Sequence, residues 1–360
     1  MNACVPRSTL LCYKKCMKAL AYSVLRALAD GEFHSGENLA RSAGMSRASV
    51  WYAIRELEAA QLTVYKVRGR GYRLAHAISL IDGQAVAAAL GAQAGYFSVG
   101  VEDAVESTNT ALLRRAAAGA AHGTVLATEW QTAGRGRMGR TWQSGIGNGL
   151  TFSLLWRFDQ GAACLGGLSL AVGMAIVRVL RASGAQEVGL KWPNDVLWRG
   201  CKLAGILIEM HGDALGPTAA VIGIGLNVRL SEMVRDRIDQ AAGDLETACG
   251  HTVDRNTLLA ELLLELRGVL TAFSRSGLPP LREEWRHYHL YEGRAVAIRR
   301  PDGSIEHGEV RGIAEDGALL LFTRDGLRRY HSGEVSLRAA EAGTRGGPVR
   351  ISRSAPPAAQ

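Results

Sequence analysis

The chain has 360 residues, of which 47% are hydrophobic and 21% charged, and this is typical of a soluble globular protein with two or three domains. Its six cysteines show no paired C-x-x-C spacing, which excludes a disulfide framework and a zinc site, so we expect a cytoplasmic protein. The net charge of +8 is uneven, with 12 Lys and Arg against 5 Asp and Glu in residues 1–75 and only +1 beyond them, so the N-terminal segment is predicted to bind a polyanion.

Residues 17–76 predict a winged helix-turn-helix domain. A first amphipathic helix is followed by a short second helix with Ser35 as its cap, and by a third helix. Val50, Ile54 and Leu57 lie at spacings of four and three along the third helix, which places them on one buried stripe. The sequence "LTVYKVRGRGYRL" then predicts a β-hairpin.

The exposed face of the third helix and the tip of the hairpin carry the basic residues of this domain. A helical oligomerisation module would explain the helices, but it would not explain a basic hairpin tip. We therefore favour DNA binding, with the tip suited to phosphates or to the minor groove. The predicted DNA-binding residues are Arg47, Trp51, Arg55, Lys66, Arg68 and Arg70.

Residues 82–277 predict a mixed α/β sheet that is covered by helices on one side, because several apolar strands are joined by short glycine turns. An uncharged run over residues 160–177 approaches membrane length, but its glycines and its amphipathic continuation predict a buried core helix and no membrane association. Residues 290–339 contain short strands separated by "PDG", "EDG" and "RDG" turns, which predict a small β-barrel. Residues 340–360 predict a disordered tail.

A glycine-rich segment, "TAGRGRMGRTWQS", raises the question of a dinucleotide-binding loop, because its glycines match G-x-G-x-x-G. A strand precedes it, but a second strand and not a helix follows, and the nearest acidic residue beyond it is Asp159. The segment also contains Arg135, Arg137 and Arg140. We interpret it as an anion-binding loop on glycine hinges, with a solvated basic loop as the alternative.

Three further motifs carry polar residues in or beside predicted strands. "KWPNDVLWRGCKLAGILIEM" places Lys202 at the start of a strand with Gly205 beside it, and either an anion site or an exposed strand-end lysine fits this pattern. "ESTNTALL" precedes a helix, so its hydroxyls form either a ligand site or an ordinary helix cap. "VIGIGLNV" is a glycine-interrupted strand that ends at Asn227.

Together these segments resemble, in the same order, the bifunctional biotin protein ligases that also act as biotin-operon repressors. The resemblance covers roughly residues 20–338, and its anchors are "GEFHSGENLARSAGMSR", "ESTN", "EWQTAGRGRMGRTWQS", "KWPNDVLW", "KLAGILIEM", "GIGLNV", "DRNTL" and "GALLL…SGEVSLR". It implies a multidomain α+β fold with an N-terminal winged helix-turn-helix, a central ligase domain resembling class II synthetases, and a C-terminal SH3-like β-barrel.

The resemblance also implies a function. The expected enzyme uses biotin, ATP and Mg²⁺ to form biotinyl-5′-AMP, and then transfers biotin to a lysine of the biotin carboxyl carrier protein of acetyl-CoA carboxylase. With biotinyl-AMP bound, it is expected to form a homodimer that binds operator DNA and represses biotin-synthesis genes. Two alternatives remain: a non-catalytic biotin-sensing regulator, and an enzyme related to lipoate–protein ligases.

Site residues follow from the resemblance by matching positions, and no metal ligand is assigned among them. The implied catalytic residues are Lys202, Arg137, Arg140 and Asp195. The implied biotin-binding residues are Ser107, Thr108, Asn109, Gln131, Arg135, Gly136, Arg137, Lys202 and Gly205. The implied ATP- and adenylate-binding residues are Arg137, Arg140, Trp142, Lys191, Asn194, Lys202, Asn227, Glu334 and Arg338. The sequence departs from the family pattern at two positions. Glu106 stands where an aspartate is more usual, and Met138 stands where a basic residue is often found.

Overall fold

The structure is a computed structural model, and it describes residues 19–212, 215–235, 238, 240–300, 302–332 and 336–339. The predicted disordered tail, residues 340–360, lies outside the described residues, as do residues 17 and 18 at the predicted start of the first domain.

Three helices and a β-hairpin form the N-terminal unit: α1 (Ala19–Leu28), α2 (Gly36–Ser42), α3 (Arg47–Ala59), β1 (Val64–Val67) and β2 (Gly71–Leu74). The Ser35 side chain caps α2 by accepting a hydrogen bond from the backbone N–H of Asn38. Val50, Ile54 and Leu57 are buried in the core of this unit, as their spacing predicts. The winged helix-turn-helix prediction is confirmed.

A seven-stranded sheet forms the centre of the molecule, in the order β3-β4-β5-β9-β8-β7-β6. β3 pairs with β4 in parallel, whereas every other neighbouring pair is antiparallel, so the predicted mixed sheet is confirmed. The elements of this region are α4 (Gly83–Leu90), β3 (Ser98–Val105), α5 (Thr108–Ala117), β4 (Thr124–Gln131), β5 (Gly149–Phe158), α6 (Leu168–Ala182), β6 (Val188–Lys191), β7 (Asp195–Trp198), β8 (Cys201–Gly212), β9 (Thr218–Asn227), α7 (Glu232–Arg235), α8 (Leu245–Cys249) and α9 (Arg255–Ser276).

Helices cover both faces of this sheet, so the expectation of one covered face is wrong. α6 and α9 pack on the face that carries Leu154 and Ile222. α5 packs on the opposite face, where Leu112 joins Leu155 and Val221 in a separate cluster. The reason is visible in β5 and β9, which are buried along nearly their whole length and therefore need apolar cover on both sides. Within the described part of the chain, no helix is long and apolar enough to cross a membrane.

The helix α10 (Arg282–Tyr288) packs against α6 and β6 and leads to the C-terminal unit, an antiparallel sheet in the order β13-β12-β11-β10-β14. Its strands are β10 (Ala295–Arg299), β11 (Ile305–Ile313), β12 (Leu319–Thr323), β13 (Gly326–Tyr330) and β14 (Ser336–Ala339). Among the described residues, the edge strands β13 and β14 do not pair with each other, so the small barrel is present as a five-stranded antiparallel sheet. The buried indole of Trp192 donates a 3.0 Å hydrogen bond to the carbonyl of Gly317, which fixes this unit to the central sheet.

The segment between the N-terminal unit and the central sheet is held by the first residues of α9. The Ser79 hydroxyl donates to the carboxylate of Asp254 at 2.7 Å. The Asn256 amide accepts from the backbone N–H of Asp82 at 2.8 Å and donates to the carbonyl of Leu80 at 3.0 Å. The "DRN" sequence at the start of α9 therefore fixes the connection between the two units.

Candidate active site

One open cleft at the N-terminal end of α5 brings together all four polar motifs. Including the solvent at its mouth, it has a volume of about 1040 Å³, enough for a ligand of nucleotide size. All but three of the predicted ligand-site residues line it: Ser107, Thr108, Asn109, Gln131, Arg135, Gly136, Arg137, Arg140, Trp142, Lys191, Asn194, Asp195, Lys202 and Gly205.

The three remaining residues are Asn227, Glu334 and Arg338. Asn227 is buried behind the cleft wall, where its amide donates to the carbonyls of Lys202 at 3.2 Å and Gly243 at 3.1 Å. In this structure Asn227 therefore fixes the Lys202 backbone and does not face the cleft. Glu334 lies outside the described residues, and of Arg338 only the backbone position on β14 is described.

At the start of α5, the side chains form a connected polar end of the cleft. Ser107 caps the helix by accepting from the backbone N–H of Thr110, so the helix-cap interpretation is confirmed, and Ser107 also lines the cleft. Both the backbone N–H and the hydroxyl of Thr108 donate to Gln131 Oε1, at 2.8 and 3.2 Å. Asn109 accepts from the hydroxyl of Ser153 at 2.6 Å. These bonds fix a set of hydrogen-bonding groups against β4 and β5.

The three arginines of the glycine-rich loop have different environments. Arg135 is paired with Glu209 at 2.8 Å. Arg137 is half-buried and donates to Asn194 Oδ1 at 2.8 Å and also to the backbone carbonyl of Ser332 in the C-terminal unit. The Arg140 side chain is exposed and has no hydrogen-bond or ion-pair partner among the described residues.

Burial lowers the pKa of the Arg137 guanidinium from its ordinary value, and the nearby positive charge of Arg140 lowers it further, while the carboxylate of Asp195 opposes both effects. A guanidinium whose charge is disfavoured by its surroundings gains from an anion placed beside it. Arg137 and Arg140 together therefore form a place where an anion is favoured.

Lys202 and Asp195 face each other across the cleft end of β7 and β8. The Lys202 ammonium lies 2.7 Å from Asp195 Oδ1, with the two side chains 15% and 14% exposed. A Cβ atom added at Gly205 would lie 3.1 Å from Lys202 Cε and 3.3 Å from the Trp142 ring. These two side chains therefore pack closely over Gly205.

The Trp142 indole lies on the floor of the cleft. A side chain at Gly225 would overlap its ring, and the Lys202 ammonium lies 5.7 Å from the ring centroid. The indole N–H is buried without a hydrogen-bond partner among the described residues, so it is a donor available to a ligand.

Comparison with known proteins agrees with this geometry. Residues 21–73 match the HTH domain family, residues 101–227 the biotin/lipoate A/B protein ligase family, and residues 292–338 the biotin protein ligase C terminal domain. The chain is 40% identical to the bifunctional ligase/repressor BirA of Salmonella typhimurium, over 89% of this chain and 98% of that protein. Its identity to the Escherichia coli BirA is also 40%, over 88% of this chain and 97% of that protein.

The chain belongs to the family of bifunctional biotin ligases and repressors. Among solved structures, the Aquifex aeolicus biotin protein ligase in complex with biotin and ATP has a TM-score of 0.58 and 30% identity, over 68% of this chain and 99% of that one. The predicted family is thus confirmed.

In this ligase/repressor, all six residues predicted to contact DNA are exposed on α3 or on the hairpin. The Arg55 guanidinium lies over the ring of Trp51 at 5.4 Å, and the Lys66 ammonium pairs with Glu58 at 2.9 Å. The sequence reading missed Tyr52, which is 64% exposed and packs edge-to-face against Trp51. Tyr52 could have been found from the sequence, because it is next to Trp51 on the exposed surface of the same helix.

The sequence reading of this ligase/repressor also missed three residues around the cleft. Thr151 lines it, Ser153 orders the start of α5, and Glu209 pairs with the loop. All three lie on strands whose sequences are mainly apolar, so the sequence pattern did not indicate a site there. Their side chains could have been assigned to the α5 face by strand alternation once the register was known.

Proposed function

We propose that this chain is an ATP-dependent biotin protein ligase, which forms biotinyl-5′-AMP and transfers biotin to a lysine of the biotin carboxyl carrier protein of acetyl-CoA carboxylase. The observation that carries the proposal is the convergence of Arg137, Arg140 and Lys202 on one cleft, where Asp195 is the single carboxylate among the described lining residues. Because biotin's carboxylate must approach the anionic α-phosphate of ATP, the reaction needs this excess of positive charge.

The two substrates would use different residues of the cleft. Ser107, Thr108 and Gln131, which are at the start of α5 and the end of β4, would offer hydroxyl and amide groups to the ureido ring of biotin. Trp142, Arg140, Lys191 and Asn194 would bind ATP, because an aromatic ring and positive charge suit adenine and phosphates. Arg137 donates to Asn194, and the Lys202 ammonium lies 5.7 Å from the Trp142 ring centroid, so both cations are close to this second set. Biotin's carboxylate would therefore meet the α-phosphate beside both cations.

In the first step, a biotin carboxylate oxygen bonds to the α-phosphorus and pyrophosphate leaves. Arg137 and Lys202 would stabilise the charge that accumulates on the phosphoryl oxygens, and Arg140 would stabilise the departing pyrophosphate. Magnesium, when bound, neutralises phosphate charge. Among the described residues, no group of three or more His, Cys, Asp or Glu side chains could hold it, so the phosphates and Asp195 would be its main ligands.

In the second step, the amine of the carrier lysine bonds to the acyl carbon of the mixed anhydride and AMP leaves. The amine must lose a proton, and Asp195 is the carboxylate placed to accept it. Without substrates, Asp195 neutralises Lys202. When Lys202 turns towards the adenylate oxygens, Asp195 would be released for the incoming amine.

We also propose that the N-terminal unit binds operator DNA as part of a homodimer that forms when biotinyl-AMP is bound, and so represses biotin-synthesis genes. The exposed apolar side chain of Met138, 58% exposed in the glycine-rich loop, supports a protein-binding surface there. A carrier protein that docks at the same surface would compete with dimerisation. We place both activities in the cytoplasm, where ATP and operator DNA are found.

The proposed domain limits are residues 17–76 for the DNA-binding unit, 82–277 for the ligase unit and 290–339 for the C-terminal unit. Two alternatives are less well supported. A non-catalytic biotin sensor does not need Arg137, Arg140 and Lys202 together in the cleft, and the Aquifex aeolicus relative compared above is named a biotin protein ligase, not a lipoate ligase.

The direct test is incubation of the purified chain with labelled biotin, ATP, Mg²⁺ and a biotin carboxyl carrier domain. Label on the carrier that depends on ATP supports the ligase proposal. Label on a lipoyl domain supplied with lipoate, and none on the biotin carrier, would support the lipoate alternative. Binding of biotin with no adenylate formed would support the sensor alternative.

A further inference from the structure

Glu209, on β8 at the edge of the cleft, joins three separate segments. Its Oε1 atom accepts from Arg135 Nη2 at 2.8 Å, and its Oε2 atom accepts from Arg135 Nη1 at 3.3 Å. Oε2 also accepts from Asn109 Nδ2 at 2.9 Å. The Glu209 side chain is 22% exposed, so the carboxylate is partly shielded from water. One carboxylate thus connects β8, the helix α5 and the glycine-rich loop.

Arg135 is held from a second side as well, because its Nη1 atom donates to the hydroxyl of Thr110 at 3.2 Å. The other side of the loop is fixed by Arg137, through Asn194 and the carbonyl of Ser332. The loop is therefore attached at two points on either side of Gly136, whose own N–H donates across the loop to the carbonyl of Arg140 at 2.7 Å.

The two attachment points differ in what happens when substrates bind. Arg137 would contact the phosphates of the reaction, so its present contacts with Asn194 and with the carbonyl of Ser332 compete with them. Arg135 is already neutralised by Glu209, and this pair does not need to break for the reaction to proceed. The Arg135–Glu209 pair is thus the attachment that persists through both steps.

We propose that Glu209 is a positioning residue that keeps the glycine-rich loop closed over the biotin end of the cleft, and so retains biotinyl-AMP until the carrier lysine arrives. This inference rests on the proposed ligase function. Released adenylate is lost, because water bonds to its acyl carbon and AMP leaves, giving free biotin and AMP. A closed loop reduces this loss by slowing escape and by excluding water.

Glu209→Gln and Arg135→Gln are the informative variants. The amide of Glu209→Gln keeps the size of the side chain and keeps an oxygen that accepts from Asn109, but it removes the charge that pairs with Arg135. Glu187→Gln is the matched control, since Glu187 pairs with Arg199 through both carboxylate oxygens at 3.0 Å on an exposed hairpin that does not line the cleft.

The measurement is the ratio of biotinyl-AMP released into solution to biotin transferred to the carrier domain, with labelled biotin and the full-length chain. This ratio does not depend on the fraction of enzyme that is folded. We expect a rise of about fivefold or more in Glu209→Gln and in Arg135→Gln, no further rise in the double variant, and no change in Glu187→Gln. The reversed pair Glu209→Arg with Arg135→Glu should restore a low ratio.

An unchanged ratio in Glu209→Gln would overturn the inference, even if the melting temperature fell, because that pattern is what a purely structural role predicts. A double variant whose rise is the product of the two single rises would also overturn it, since the two residues would then act separately. If the wild-type chain forms no adenylate, the proposed function fails, which is distinguishable from a chain that forms adenylate and releases it at the same ratio in every variant.

Discussion

Arg255 and Glu129 form an ion pair in the interior of the protein, with Arg255 Nη2 2.8 Å from Glu129 Oε1 and the side chains 2% and 4% exposed. The other donors of Arg255 bind the carbonyls of Ser79 and Gly149, each at 2.7 Å. Glu129 also accepts from the backbone N–H of Ile81 at 2.6 Å. This pair therefore ties α9 and β4 to the segment that leads to the DNA-binding unit and to the strand that follows the glycine-rich loop.

Arg255→Ala should lower the free energy of unfolding by about 3–5 kcal/mol, because it leaves the Glu129 carboxylate buried without its partner. Chemical denaturation followed by circular dichroism measures this. Arg41→Ala is the control, since Arg41 pairs with Glu37 at 3.2 Å with both side chains more than 70% exposed, and such pairs contribute about 0–1 kcal/mol. Equal losses of unfolding free energy in the two variants would show that burial does not determine how much an ion pair stabilises the protein.

Lys202→Ala and Arg137→Ala should each reduce biotin-dependent ATP–pyrophosphate exchange by about 10²-fold or more, because each removes a cation from the point where the two anions meet. Lys66→Ala serves as a control with the same loss of charge on the distant hairpin, and it should exchange at the wild-type rate. Exchange near the wild-type rate in either cleft variant would contradict the proposed roles of these residues.

The sequence predicted the parts of the fold that follow from hydrophobic spacing, and it missed those that depend on contacts between distant segments. The stripe of Val50, Ile54 and Leu57 and the strands β5 and β9 were predicted because their apolar pattern is continuous. β3 was not predicted, since its sequence "SVGVEDAV" carries two acidic residues. Both acidic residues have ion-pair partners in the structure, since Glu102 pairs with Arg115 and Asp103 pairs with Arg26.

The candidate site was also predicted in part and missed in part. The family resemblance identified most residues of the cleft, but not which arginine of the loop lacks a partner among the described residues. Arg135 finds its partner Glu209 at a distance of 74 residues along the chain, and no local pattern encodes that pairing. The resemblance implies that Asn227 binds ATP, yet its amide donates to the backbone carbonyl of Lys202.

A chain that begins at residue 76 should lose binding to biotin-gene promoter DNA and keep part of its ligase activity. Some loss of stability is expected, because Ile146 from the central unit is 2% exposed within the core of the N-terminal unit and would become uncovered. Gel-shift and carrier-labelling assays measure the two activities. Ile146→Ser in the shortened chain should recover solubility. Promoter binding that survives the deletion would refute the DNA-binding assignment.

We expect the protein to lose stability as the pH decreases below about 6.5, because of His289. Its imidazole is fully buried, is stacked on Trp285 at 4.3 Å and has no hydrogen-bond partner among the described residues. Burial lowers the pKa of His289 from its ordinary value of 6.5, although Glu292, 3.7 Å away and itself paired with Arg286, opposes this.

The folded state therefore binds the His289 proton less readily than the unfolded state does. The stability is complete above pH 6.5 and is lost as the pH falls from there towards the folded pKa, by up to about 1.4 kcal/mol per pH unit. Thermal unfolding of the wild type and of His289→Phe between pH 5 and 8 measures this, and the variant should show a smaller loss below about pH 6.5. Parallel pH profiles for the two proteins would contradict the assignment.

Biotinyl-AMP should shift the protein from monomer towards dimer and tighten its binding to operator DNA in parallel. The adenylate supplies phosphate oxygens for the exposed Arg140 and for Arg137, so the loop that carries the exposed side chain of Met138 should become fixed. Two DNA-binding units on one dimer would then engage two half-sites, and the second contact gains from effective concentration.

Sedimentation velocity with and without a non-hydrolysable adenylate analogue measures the shift towards dimer, and a gel shift measures the tighter binding to operator DNA. Unmodified carrier domain should compete with the dimer. A dimer of equal stability with and without the adenylate would refute this switch and leave the ligase assignment unchanged.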